Sequence, residues 1–320
     1  MTTPAEAIAL VSAARVPADL FGGPTPRRTY RRLARLLHPD LTPGAEAAGA
    51  FARLASLWAE HTGHTPTDDL AGTVVGTHHV GRLLHEGATA LLYDCAPGAL
   101  LKIPRGPADN DLMRREAQAL RTIEREGDPT LLPYVPRLVD SLRHGSGDAR
   151  RRANVISRVP DGFVSLAEIA RRRPVLDPRD AAWIWRRLLV AIGAAHRAGV
   201  VHGAVFGHHV LVHPIDHGLV LVDWSQSVPL GSPLTALVAR HRDDYPPEVH
   251  TGAPATETLD IRLATRCVAA LMGDRVPGAI GRFVRGSLVA PPRDAWRLLG
   301  ELDELLDDLY GPRTYRPLNL

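Results

Sequence analysis

The chain has 320 residues, 45% hydrophobic and 23% charged, with a formal net charge of +3. That length and balance can bury a sizeable core, enough for two domains, and exclude a chain disordered throughout. The mild positive charge is spread along the chain without a groove-reading module, and no apolar run is long enough to span a bilayer. The expectation is therefore no nucleic-acid partner and no membrane partner. Two cysteines, Cys95 and Cys267, stand far apart in no ligand-spacing pattern, which reads as free thiols. The opening stretch "MTTPAEAIALVSAARVPADLF" has Glu6 and no basic segment, unlike a signal peptide, so a cytoplasmic protein is expected.

Residues 1–61 read as helical. Between Pro26 and Leu37 the apolar residues Tyr30, Leu33, Ala34 and Leu37 recur at helical spacing, with Arg27, Arg28, Arg31, Arg32 and Arg35 mostly facing outward. Pro39 stops this helix. A second starts near Ala45 and carries Ala47, Ala50, Phe51, Leu54 and Trp58 on one stripe. The hairpin, with His38, Pro39 and Asp40 at its tip, resembles the J domain of DnaJ-type co-chaperones: "YRRLARLLHPD", then a helix with an "AFARL" stripe. "PADLFG" (18 to 23) falls where that family's first helix runs into its turn, and the helix before it is short or degenerate. The resemblance implies that Arg31, Arg32, Arg35, His38, Pro39 and Asp40 contact a DnaK-type chaperone, with an unknown client protein. Guanidinium rows facing an acidic groove would supply the complementarity. The alternative is a solvated basic helix ended by a turn.

Residues 62–73, "HTGHTPTDDLAG", are polar and rich in turn formers, and read as a linker. A hairpin pattern follows: a strand to Leu84, a turn at His85 to Gly87, then "TALLYD", a third strand "ALLKIP", and the helical "DLMRREAQALRTIE". Of the 38 lysines plus arginines, one is a lysine, Lys102, on that third strand, with Glu116 on the helix after it. An exception to so strong a bias marks a place where arginine will not serve. A compact ammonium can sit between a carboxylate and phosphate oxygens where a wide planar guanidinium does not fit. The plain alternative is a strand lysine reaching for water at an edge.

These parts resemble a protein kinase, and the expected fold class is α+β. A small N-terminal helical J-like domain precedes a bilobal kinase-like fold, with an N-lobe over 74–160 and a C-lobe over 161–320. The resemblance implies ATP and Mg2+ as cofactors. Nucleotide contacts would come from Gly87 in the loop over the phosphates, Lys102, Glu116, Ile156 near the gatekeeper position, and Ser157 opening a hinge that runs to Gly162. His85 and Ala90 replace two glycines of that loop. In "VVHGAVFGHHVLVHPIDHGLVLVDW" (200 to 224) His202 matches the histidine of the catalytic loop, and Asp223 the metal-binding aspartate. Ala204 stands where the catalytic aspartate belongs, Phe206 replaces the following lysine, and His209 replaces the asparagine that binds the second magnesium. The implied metal ligands are thus Asp223 and His209. "YPPE" (245 to 248), Asp260 and the closing helix pattern at 291 to 306 complete the match. "HG" with "VDW" is closer to aminoglycoside and choline phosphotransferases, whereas "YPPE" and Asp260 lean toward Ser/Thr kinases. The missing aspartate is the same in both.

Loss of a general base costs about 10² to 10⁴ in rate. The functional expectation is a J-domain-containing pseudokinase: a nucleotide-binding regulatory, scaffold or co-chaperone protein with little phosphoryl transfer. Three alternatives stand beside it. One is an active Ser/Thr or aminoglycoside-phosphotransferase-like kinase using another base such as Asp216. Another is a transition-metal site built from His202, His208, His209, His213 and His217 with Asp216 and Asp223. The third is an adaptor that binds no ligand.

Overall fold

The computed structural model describes residues 3–37, 42, 45–61, 70–95, 97–273 and 276–320. Four helices come first: α1 (Pro4–Ala13), α2 (Ala18–Phe21), α3 (Pro26–Leu37) and α4 (Ala45–His61). The first is not degenerate. Thr3 and Glu6 close a capping box at its start, and Ala7 and Val11 are buried on its inner face. Arg53 of α4 donates to the carbonyls of Val11 and Ala14, tying the end of α1 to α4. The four helices share a core of their own, with Phe21, Leu33, Leu37 and Leu54 at its centre. Tyr30 stacks on Trp58 at 4.6 Å and Phe21 meets Trp58 edge-on at 5.0 Å. Arg32 and Arg35 are exposed on α3. The tip residues His38, Pro39 and Asp40 lie outside the described residues, as does the side chain of Arg31.

A six-stranded antiparallel sheet follows. Its strands are β1 (Val74–Val75), β2 (His78–Glu86), β3 (Ala90–Cys95), β4 (Ala99–Pro104), β5 (Leu138–His144) and β6 (Arg151–Ser157), in the order β1-β2-β3-β4-β6-β5. Alternation along β3 and β4 sends Leu91, Tyr93, Leu101 and Ile103 to one core, where Ala153 and Val155 of β6 meet them. Helix α5 (Asn110–Glu126) lies between β4 and β5 in the chain. Strand β2 runs to Glu86, past the expected end at Leu84, because the turn is tighter than the sequence pattern implies. The Gly87 N–H bonds the Ala90 carbonyl at 2.9 Å, and a Cβ there would meet that oxygen at 3.0 Å. The expected linker also ends early: Leu70 is buried in the sheet's core and the Thr73 carbonyl accepts from Val80 at 2.9 Å.

The larger lobe contains β7 (Val164–Ser165), α6 (Leu166–Arg172), α7 (Pro178–Arg197), β8 (Val200–Val201), β9 (Val210–Val212), β10 (Leu219–Leu221), β11 (Val228–Pro229), α8 (Pro247–His250), α9 (Glu257–Met272), α10 (Gly278–Val289) and α11 (Ala295–Tyr310). α7 is its axis, burying Ile184, Trp185, Leu188, Leu189 and Ile192 while packing against α9 and α11. Beyond α11 the chain folds back. Leu318 is buried, its N–H bonds the Pro214 carbonyl at 3.0 Å, and Arg316 reaches Asp180 at 3.2 Å. No helix among the described residues is long and apolar enough to cross a membrane.

Candidate active site

Lys102 points from β4 into the cleft between the two lobes. Its Nζ lies 2.7 Å from Glu116 Oε1 on α5 and 2.7 Å from Asp223 Oδ1 in the opposite lobe. Burial alone would strip the amine of its proton, but the charges of Asp223 and Glu116 outweigh it and raise the lysine pKa. Glu116 is held on its other side by Asn154 of β6, whose Nδ2 donates to Glu116 Oε2 at 3.0 Å and to the Met113 carbonyl at 2.8 Å. Every oxygen of this buried carboxylate therefore has a partner.

Asp223 sits in the left-handed region at φ 61°, unusual for a residue with a side chain. Ser225 fixes it there by donating its hydroxyl to Oδ1 at 2.6 Å. Burial raises the Asp223 pKa, yet Lys102 and His209 win and hold the carboxyl well below the usual range. Trp224 tucks its indole out of solvent, bonding the Leu221 carbonyl at 2.9 Å and meeting His202 edge-on at 4.6 Å. α5 packs against this turn, which links Glu116 to Asp223 through the backbone as well as through Lys102.

The catalytic loop keeps its scaffold. Asp260 of α9 is fully buried and accepts the N–H groups of His202 at 2.7 Å and Gly203 at 2.8 Å, and pairs with His196 at 3.0 Å. Burial would raise its pKa; these donors lower it instead. Gly203 has φ 73°, where a Cβ would lie 3.0 Å from the Gln226 carbonyl, so glycine is required. Tyr245 donates to the Gly203 carbonyl at 3.0 Å, and Glu248 pairs with Arg262 at 3.3 Å. His202 is buried against the Val222 carbonyl, and that burial pushes its pKa down to about 4. On this rigid loop residue 204 offers a methyl group, itself buried.

The metal positions do meet. His209 Nδ1 lies 2.8 Å from the Ala204 carbonyl oxygen, an acceptor, so Nδ1 carries a hydrogen. Nε2 faces Asp223 Oδ2 at 3.3 Å. A divalent cation placed between those two atoms would need the Nε2 lone pair free of a proton. One imidazole and one carboxylate make a softer donor set than magnesium prefers. When bound, such a cation would neutralise nucleotide phosphate charge; Asp223 and His209 would hold it.

Other expected residues fall in less direct places. Gly87 caps the β2–β3 turn, and its carbonyl accepts from Arg105 Nε at 2.8 Å, a strap with no signal in the residue pattern. Ile156 is buried at the base of the cleft. The N–H of Ser157, the first residue of the expected hinge, bonds the Arg137 carbonyl at 2.8 Å, because β5 runs beside β6 this far along. The Arg158 N–H likewise bonds the Gly98 carbonyl, and Pro160 has no N–H.

His208 meets His209 edge-on at 3.8 Å, but no group of three or more ligating side chains able to hold a metal gathers among the described residues. His217 stacks on Trp183 at 4.0 Å, far along the β9–β10 turn, with His213 beside the exposed Asp216. His208 stacks near His241, its pKa pushed down to about 3 by burial and the neighbouring His209 and Arg240. Sequence reasoning missed the pair His241 and Asp244, 2.8 Å apart, whose imidazole stacks on Phe206 at 4.0 Å. They line a 560 Å³ pocket beside the catalytic loop, walled by Leu166, Ala170, Phe206 and Leu271.

Residues 103–229 match the model of the lipopolysaccharide kinase (Kdo/WaaP) family. The segment begins directly after Lys102 and ends beyond Ser225, so it spans the cleft just described. The solved structure of vaccinia related kinase 3 is similar, with a TM-score of 0.56 and 17% identity, covering 75% of this chain and 91% of that chain. This is a kinase-like fold. No curated protein matches the chain in sequence.

Replacing Lys102 by Met strands Glu116 and Asp223 against each other in the kinase-like cleft. We expect a loss of about 3–5 kcal/mol in urea unfolding, partly recovered when Glu116→Gln is added. His202, neutral when folded, gives a second expectation. An unfolded histidine takes up a proton near pH 6.5 and the buried one only near 4, so stability falls as pH drops through that window, by about 3 kcal/mol. Urea midpoints at pH 7.5, 6 and 4.5 should show the decline, and His202→Phe should make it shallower, leaving the share that His208 contributes.

Proposed function

We propose that the chain is a nucleotide-binding pseudokinase joined to a J-like helical arm. The observation that carries this reading is the pairing of a complete phosphate-holding triad, Lys102 with Glu116 and Asp223, with a methyl group at residue 204. The triad supplies positioning and charge for a nucleotide and its metal, whereas residue 204 brings no carboxylate to take the substrate hydroxyl proton. ATP binding would then set the relation of the two lobes without efficient turnover. Calorimetric titration should give saturable ATP binding that depends on a divalent cation and weakens in Asp223→Asn. Mn2+ should serve better than Mg2+, with the order reversed in His209→Asn. Phosphate transfer should stay near background and rise about 10² to 10⁴ in Ala204→Asp. Absence of ATP binding under all these conditions would leave the ligand-free adaptor.

The arm's exposed Arg32 and Arg35 support a docking role toward the acidic groove of a DnaK-type chaperone. Full-length protein should stimulate the ATPase of such a chaperone, and His38→Gln should abolish the effect. No stimulation by the unaltered protein would return the arm to a structural role.

A second reading, an active phosphotransferase, is favoured by the His241–Asp244 pair. An imidazole oriented by a carboxylate beside Phe206 has the arrangement of a general base. Robust transfer by the unaltered protein, lost in His241→Ala, would establish it in place of the first.

A further inference from the structure

A second cavity, of 320 Å³, opens where the start of α5 meets the β5–β6 hairpin. Five of its seven lining residues are arginines: Arg114, Arg143, Arg150, Arg151 and Arg152. Asp111, the one carboxylate in the lining, is already paired with Arg114 at 3.1 Å. The volume sits at the low end of the range for small-ligand pockets, about 300–1,000 Å³.

Arginines are plentiful in this chain, and scattered ones need no ligand. These are different in three respects. They line a concavity, they share one sign of charge, and the backbone beneath them is pinned. Asn110, the first residue of α5, donates to the Arg150 carbonyl at 2.9 Å and accepts the Arg152 N–H at 2.6 Å. Burial, then the charges of Arg143, Arg114 and Arg121, lower the pKa of Arg152, so the guanidiniums repel one another as they stand. Arg152 also reaches the Ser141 hydroxyl at 3.4 Å, and a guanidinium can grip an oxyanion through two parallel N–H groups.

We propose that this pocket binds a phosphate-class oxyanion, a phosphate or short polyphosphate, and that the bound anion fastens α5 in the position that presents Glu116 to Lys102. The two walls make the link. α5 carries Glu116, and β6 carries Asn154, two residues beyond Arg152, which holds Glu116 at 3.0 Å. An anion bridging Arg114 on α5 and Arg143 or Arg152 on the hairpin clamps those walls together at their open end. Neither Lys102 nor Asp223 lines this cavity, so the site is separate from the cleft.

The test titrates the full chain with sodium phosphate and with pyrophosphate, each against sodium chloride at matched ionic strength to remove general screening. Thermal unfolding should show a saturable rise in Tm with either oxyanion over chloride. In Arg143→Ala/Arg150→Ala, whose exposed side chains stand clear of the catalytic machinery, apparent affinity should fall about tenfold or more. Asp111→Asn, which removes the competing carboxylate, should tighten binding and keeps the question answerable if the double variant folds poorly. Hydrogen exchange along α5 should slow when phosphate is present. No saturable shift over chloride, or a shift that neither variant alters, overturns the site. Binding without slower exchange in α5 overturns the link to Glu116.

Discussion

One ammonium group between two carboxylates joins the lobes of this molecule. Lys102 is nine-tenths buried, and its charge is the reason Glu116 can be buried almost completely on one side and Asp223 held ionised on the other. Charges out of water are tolerated when each has a close partner and its remaining hydrogen-bonding capacity is filled. Here Asn154 and Ser225 do the filling. α5, the left-handed turn at Asp223 and strand β6 with Asn154 all meet at that ion set.

What surrounds the ion set is held in place independently of the side chain at residue 204. The catalytic loop is anchored by Asp260 and Tyr245 through backbone groups, contacts indifferent to the side chain at residue 204. His209, farther along the same loop, faces Asp223 Oδ2 at 3.3 Å.

Much of this was legible in the sequence. The lone lysine among so many arginines marked the centre of the site, and Glu116, Asp223 and Asp260 stood at spacings that the folded chain brings together. Helix periodicity placed α3 and α4 with their buried faces correct. Side chains whose role depends on a distant partner were not legible. Asn154 reads as a polar interruption of an apolar strand until α5 is laid across it. His241 and Asp244 lie in a polar stretch with no periodicity, and only the return of that stretch over Phe206 gives them meaning. The bond of the Ser157 amide to Arg137 was not legible either, because the sequence does not say how far β5 runs along β6. The arginine-lined cavity is assembled from a helix start and a hairpin whose arginines, taken in order along the chain, are merely common.

The returning C-terminal segment carries a practical lesson. Leu318 plugs an apolar slot, His217 bonds the Arg316 carbonyl at 2.7 Å, and the Tyr315 ring lies 4.9 Å from that same imidazole. A shortened version stopping at the end of α11 would uncork the slot beside Trp183 and bare a greasy surface near the β9–β10 turn. Anyone trimming the chain for expression should keep these last ten residues, since sticky, poorly behaved preparations would otherwise be mistaken for an intrinsic property of the kinase-like lobe.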